Sequence, residues 1–333
     1  MSKTFIIAEA GVNHNGDMSI AKRLIEEAKE CGADAVKFQS FTSEGLLSED
    51  VKLEHVEGGS LKKFFDSVAL SKQDHALLMD HCDKVGIEFM STPFSFEAAD
   101  MLDELGVKRF KIASCDINNI PFLEYVAKKG KPMIVSTGTA SADEIEEAYN
   151  VISEHIRPIN LTFLHCVANY PTKLENANLL RMKEIEMHEM IDCLIGFSDH
   201  TQGIAASTAA VALGANVIER HFTLDRAMNG PDHNLSSDPI EFKRLVNMIR
   251  DVEKCLIHDN GEVAKSEKEI TPLIRRSIVA ARDIGVGEVI SAEEITYKRP
   301  GTGLPPGMYV EVIGKQANRE IKENEQIKME DLK

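Results

Sequence analysis

From Thr4 to about residue 257, short β-branched runs alternate with longer amphipathic segments almost without a break. Such alternation builds parallel strands joined by helices, because a parallel pair needs a crossover of a dozen or more residues. The periodicity predicts strands at 4–9, 34–39, 87–91, 108–113, 132–136, 160–165, 193–198 and 216–221. Between and after them it predicts helices at 18–31, 72–85, 95–105, 119–129, 141–155, 176–190, 203–213 and 239–257. Ser141 ahead of "ADEIEEA" and Asp238-Pro239 ahead of "IEFKRLVNMI" carry helix-start chemistry. Eight βα units in about 257 residues match a closed (β/α)8 TIM barrel. The competing doubly wound sheet would place a GxGxxG turn after its first strand, and "EAGVNHNG" holds none. The barrel is therefore expected to span 1–257.

Beyond residue 257 the texture changes. "IHDNGEVAKSEKEITP" is polar, charged and aperiodic, so 258–272 reads as a linker to a small domain at 273–333. That domain repeats itself weakly: "RDIGVGEVISAEEI" and "REIKENEQIKMEDL" align at a constant offset of 37 residues. Ile284 matches Ile321, Gly287 matches Asn324, Ile290 matches Ile327 and Ile295 matches Leu332. Glycine and asparagine both tolerate positive φ, which predicts a tight turn in each copy of a compact β-rich module.

The formal charge of −16 argues against nucleic acid or an anionic membrane as partner. No apolar run approaches the roughly 20 residues of a membrane-spanning helix, and no secretory signal is expected. Six scattered cysteines without a CxxC pair suit reduced, mostly buried thiols in a cytoplasm.

Side chains at the carboxyl ends of barrel strands converge on one mouth. There the sequence places Glu9, Lys37 with Gln39, Ser91 with Thr92, Lys111 followed by Ser114 and Asp116, and Ser136. Strand six supplies His165 and then Tyr170, strand seven Ser198 and His200, and strand eight Glu219 and His221. Lysines set into apolar strands are costly without an anionic partner. Lys37 and Lys111, with Thr92, Ser114, Ser136 and Ser198, could cradle a phosphate and a carboxylate, or pair with Glu9 or Asp116. His200 and His221, at one height on adjacent strands, could share a divalent metal of the Mn, Zn, Fe or Co kind. Asp232, in the "GPDH" loop after strand eight, is either an acceptor for a polyol or a turn former. His14, His55, His75 and His81 are expected mainly at the surface.

The ordered motifs "FIIAEAGVNHNG", "ADAVKFQ", "FMSTPF", "FKIAS", "PMIVSTG", "LHC…YPT", "IGFSDHT", "VIERHFT", "GPDH" and "KRPGTG" resemble those of the sialic acid synthase family, over nearly the whole chain. That resemblance implies a (β/α)8 barrel followed by a SAF domain of the β-clip kind, similar to type III antifreeze protein. It implies condensation of phosphoenolpyruvate with an N-acetylated hexosamine, the C–C bond-forming step to a nine-carbon 2-keto acid. It gives Glu9 a role in sugar ring-opening or water attack, and His200 and His221 a metal, Mn2+ first, with Mg2+ or Co2+ as alternatives. Lys37, Thr92, Lys111, Ser114, Ser136 and Ser198 resemble phosphoenolpyruvate contacts, and Gln39, Tyr170 and Asp232 sugar contacts. Arg299 of "KRPG" is expected to reach the N-acetyl group in the partner chain's barrel, within a domain-swapped homodimer. Where some members carry an amide two residues before the tyrosine, this chain has Ala168, followed by Asn169.

Two rival readings stand beside this one. One is a metal-free aldolase forming a Schiff base on Lys37 or Lys111. The other is a non-enzymatic protein whose antifreeze-like module binds ice or another surface.

Overall fold

A computed structural model describes residues 3–48, 60–257 and 261–333. The chain divides into two compact units, Met1–Ile257 and His258–Lys333.

In the first unit eight parallel strands run in barrel order. They are β1 (Phe5–Gly11), β2 (Ala35–Ser40), β3 (Glu88–Pro93), β4 (Phe110–Ile112), β5 (Met133–Ser136), β6 (Leu161–Cys166), β7 (Leu194–Asp199) and β8 (Val217–His221). Each falls where the periodicity placed it. Hydrogen-bonded neighbours follow the order β3-β2-β1-β8-β7-β6-β5-β4, and the end strands β3 and β4 lie side by side, so the ring is nearly closed. The fold is a TIM barrel. Strand β4 is shorter than the predicted 108–113 and runs at once into a 3-10 turn at Ser114–Asp116.

Period two sorts each strand into an inner and an outer face. Ile7, Ala35, Met90, Ile134, Leu164 and Val217 point inward and form one apolar plug. Their strand neighbours pack outward under the helices in the main core. Gly196 belongs to the plug layer for lack of room: a Cβ there would sit 2.5 Å from both Leu164 Cδ2 and the Val217 carbonyl oxygen. Two residues beyond the plug, on the same face, stand Glu9, Lys37, Thr92, Ser136, Cys166, Ser198 and Glu219. The apolar layer is thus the floor of a polar cup.

The helices differ from expectation in two places. Predicted 176–190 is a 3-10 turn at Leu174–Asn176 and a short helix at Arg181–Glu186. The stretch 40–71, read without elements, contains helices at Ser43–Leu46 and Leu61–Val68. Both are held by a cluster of Val12, Phe41, Val68, Phe64, Phe65 and Phe94, with Phe41 and Phe65 edge to face at 5.1 Å. Aromatic packing holds them.

In the second unit β9 (Ser277–Ala280) pairs antiparallel with β10 (Ile295–Lys298). The repeat is visible in three dimensions. Ile284 and Ile321 bridge each other, and Ile290, Ile295, Ile327 and Leu332 join them in one core. Gly287 and Asn324 hold φ of 80° and 68°, as their shared turn requires. Arg282 pairs with Glu288 and Glu294, and Arg319 repeats this with Glu325 and Asp331. The segment read as a linker corrects one expectation: Lys265–Ile274 is a helix, while 258–260 lie outside the described residues. None of its side chains is buried, no side chain caps its start and Pro272 lies inside it, so the helix lacked the usual boundary signals.

All six cysteines are free; Cys115 and Cys255 are exposed, against the expectation of mostly buried thiols. No helix among the described residues is long and apolar enough to cross a membrane.

Candidate active site

Twelve of the fourteen predicted site residues line one cavity of about 540 Å³ at the carboxyl ends of the strands: Glu9, Lys37, Gln39, Thr92, Lys111, Ser114, Ser136, Tyr170, Ser198, His200, His221 and Asp232. Its size suits small metabolites.

The floor is ionic. Lys37 Nζ lies 2.6 Å from Glu9 Oε2 and 3.7 Å from Glu219 Oε2. Lys111 Nζ lies 3.7 Å from the other Glu219 oxygen and donates to Ser136 Oγ at 2.7 Å. Glu219 therefore bridges two ammonium groups, and Ser198 Oγ donates to it at 3.0 Å. Lys37 also donates to Thr92 Oγ1 at 3.1 Å, and the Gln39 amide to Glu9 Oε1 at 3.1 Å.

These contacts set the charges. Burial lifts the Glu9 carboxyl to about 7, with Lys37 opposing and Glu219 adding to the rise. Glu219 is just as buried, yet the pull of Lys111 and Lys37 overcomes the desolvation and holds it at about 2. Burial pushes the Lys111 ammonium below its usual range, whereas Glu219 and Glu9 outweigh burial at Lys37 and raise it.

At the mouth, His200 and His221 lie with ring centroids 5.6 Å apart, and the Tyr170 ring covers His200 at 4.0 Å. His200 Nδ1 sits 2.8 Å from the Val167 carbonyl oxygen. A carbonyl only accepts, so Nδ1 carries the proton and Nε2 presents its lone pair, 3.4 Å from Ser198 Oγ. His221 Nδ1 is buried without a hydrogen-bond partner, 3.7 Å from Asp232 Oδ2. Burial keeps both imidazoles neutral, His221 down to about 4. Neutral nitrogen donors, one of them orphaned, fit a divalent cation. Among the described residues no third His, Cys, Asp or Glu completes a cage, so water and substrate would fill the other positions.

Two predicted residues are not brought into this cavity. Asp116 sits on the turn after β4, accepting from Asn119 Nδ2 at 3.1 Å; the chain reverses between Ser114, which lines the cavity, and Asp116, which does not. Arg299 belongs to the second unit, where it is exposed. His165 faces outward, with Nε2 2.8 Å from the Ala177 carbonyl oxygen. His14 and His75 are buried rather than superficial; the His75 ring spans from the Ser71 carbonyl to Ser40 Oγ. His81 is partly exposed and 2.9 Å from Glu26, and His55 lies outside the described residues.

Sequence reasoning puts Glu219 at a strand end without giving it a role, although it shares a strand face with His221, the same relation that links Lys37 to Gln39. Cys166 escapes it as well; the thiol lies 3.1 Å from Ser114 Oγ. Phe94, Ala168, Pro231 and Leu235 add an apolar rim; Phe94 and Pro231 lie within the "FMSTPF" and "GPDH" motifs and Ala168 two residues before Tyr170, but the sequence gives none of the four a role.

The chain matches the NeuB family over residues 24–260 and the SAF domain over residues 275–333. It is 44% identical to N,N'-diacetyllegionaminic acid synthase of Campylobacter jejuni, covering 98% of this chain and 100% of the relative. It is 37% identical to human N-acetylneuraminate-9-phosphate synthase, covering 98% and 92%. Among solved structures, N-acetylneuraminic acid synthetase of Leptospira borgpetersenii superposes with a TM-score of 0.73 at 39% identity, covering 80% of this chain and 90% of that one. By sequence and by fold, the chain belongs to the NeuB family and carries a SAF domain at its C-terminal end.

Proposed function

We propose that the cavity joins phosphoenolpyruvate to an N-acetylated hexosamine and water, giving a nine-carbon 2-keto acid and inorganic phosphate. The observation that carries this is the convergence of two buried ammonium groups on Glu219, each at 3.7 Å, in the same cavity as a pair of neutral imidazoles. An enol phosphate bears its charge on a phosphate and a carboxylate, and cations fixed away from water stabilise both it and the departing phosphate. Lys37 and Lys111 would supply those cations, and Thr92, Ser114, Ser136 and Ser198 the hydroxyl donors. The relatives' names support a synthase of this class.

Gln39, Tyr170 and Asp232 would hold the sugar. His200 and His221 would hold a divalent cation, Mn2+ before Mg2+ or Co2+, which when bound supplies Lewis-acid polarisation of the sugar's aldehyde oxygen. In the condensation C3 of phosphoenolpyruvate bonds to the aldehyde carbon, whose oxygen gains a proton. Water oxygen bonds to C2, one of its protons passing to Glu9 to replace the one that the aldehyde oxygen takes up, and as the C2–O bond to phosphate breaks its second proton leaves with the phosphate. A carboxyl near 7 is matched to that exchange. The apolar rim of Phe94, Ala168, Pro231 and Leu235, and the 44% identity to a diacetyllegionaminic acid synthase, support a 2,4-diacetamido-trideoxyhexose ahead of N-acetylmannosamine as acceptor. Arg299 would serve the partner chain's barrel in a domain-swapped homodimer, which the mass in solution tests.

Purified protein given phosphoenolpyruvate, Mn2+ and each sugar should release phosphate with the preferred acceptor and form the nine-carbon acid by mass. Absence of phosphate release with every sugar overturns the proposal. One feature favours a second mechanism on Lys111 alone: burial depresses its ammonium, as an imine-forming amine requires. Activity that survives exhaustive chelation, with borohydride trapping of a Lys111 adduct, would select it.

A further inference from the structure

Arg220 is the largest fully buried side chain among the described residues, and the proposed chemistry does not use it. It stands between Glu219 and His221 on β8, and across the ladder its register partner is Asp199, the last residue of β7, between Ser198 and His200. Inward, the preceding rung joins Ser198 to Glu219 at 3.0 Å. Outward, Arg220 Nη1 meets Asp199 Oδ2 at 2.9 Å with both side chains at most 1% exposed. The next inward positions are the two imidazoles.

Each charge also holds the backbone just beyond its strand. Asp199 Oδ1 accepts from the Thr201 amide at 2.8 Å, fixing the chain past His200, and Oδ2 accepts from Ser207 Oγ at 2.5 Å. Arg220 Nε donates to Ser237 Oγ at 2.8 Å. The Ser237 amide in turn donates to the His221 carbonyl at 2.9 Å, which pins the far end of the loop that carries Asp232.

We propose that the Asp199–Arg220 pair is a positioning clamp: from outside the barrel it sets the spacing of His200 and His221, and thereby the affinity of this site for a divalent cation. The inference rests on the assignment of a divalent cation to those two imidazoles. Groups that orient metal ligands without touching the metal typically change affinity by about 10- to 100-fold. A buried ion pair often contributes little net stability, so a pair kept in this position is better explained by the geometry it enforces.

The test is binding of Mn2+ to chelator-cleared full-length protein, followed by the electron paramagnetic resonance of free Mn2+, alongside thermal melting. Asp199→Asn removes the nearer of the two carboxylates beside the buried guanidinium, leaving Glu241 at 3.6 Å, and is expected to melt lower. The double variant Asp199→Leu/Arg220→Met removes both charges and is expected to melt near the parent. Both should bind Mn2+ about 10- to 100-fold more weakly, with kcat recovering in part at saturating Mn2+. Ser207→Ala, which removes one donor to Asp199 and strands no charge, should weaken binding about threefold, and it decides the matter if the others fold poorly. Parental affinity in whichever of these variants fold overturns the clamp. Failure of the parent protein itself to bind Mn2+ overturns the metal assignment instead.

Discussion

On the proposed reaction, Lys111 would serve chemistry against stability. Its ammonium is buried and pushed below its usual range by desolvation, so the folded protein bears a cost for keeping it charged. Methionine has similar length and no charge to desolvate, and Glu219 retains Lys37 as counter-ion. Lys111→Met should therefore melt at or above the parental temperature, while kcat/KM for phosphate release falls about 10²- to 10³-fold, the usual cost of removing one preorganised charge donor. Melting curves and phosphate release on the same preparation check both halves. Glu9 gives the complementary case. Glu9→Gln keeps the hydrogen bond from Gln39 but holds no exchangeable carboxyl proton, so kcat should fall about 10²- to 10⁴-fold with KM for phosphoenolpyruvate little changed. A large rise in that KM with kcat preserved would reassign Glu9 to binding.

The unit of design at the level of elements is the alternating strand. Alternation made most of the site legible in advance, because Lys37 with Gln39 and Ser198 with His200 result from period two and a shared end of the barrel. It failed where the chain leaves the strand: β4 ends at Ile112, and the turn after it separates Ser114 from Asp116. It was silent on the helices at Ser43–Leu46 and Leu61–Val68, which are held by a phenylalanine cluster contributed by distant segments. The apolar rim was equally invisible, since Phe94 and Leu235 carry no chemical signature until a surface surrounds them. Gly196 is where the same alternation leaves no slack. Gly196→Ala forces a methyl against Leu164 and the Val217 backbone, and should cost about 1–3 kcal/mol by urea unfolding. A cost near zero would mean that β7 shifts freely, contrary to a close-packed floor.

For the molecule as a whole, buried imidazoles set the response to acid. His14, His75, His165, His200, His221 and His233 all have lowered pKa values, with burial the largest cause in each. For His14 and His221 the fall is from 6.5 to about 4. Between those values the unfolded chain binds protons that the native protein refuses, so native stability falls as pH drops. Glu9, raised from 4.5 to about 7, works the other way as one group against six, so melting temperature should be nearly constant above pH 7 and decline towards pH 4. A flat profile across that interval would show that the imidazoles charge without unfolding the barrel.

Strands β7 and β8 alternate residue by residue between side chains that face the cavity and side chains that face the helices. A deletion of one codon between Val217 and Glu219 would consequently turn this wall inside out, presenting the guanidinium of Arg220 to the cavity and burying an imidazole among aliphatic side chains.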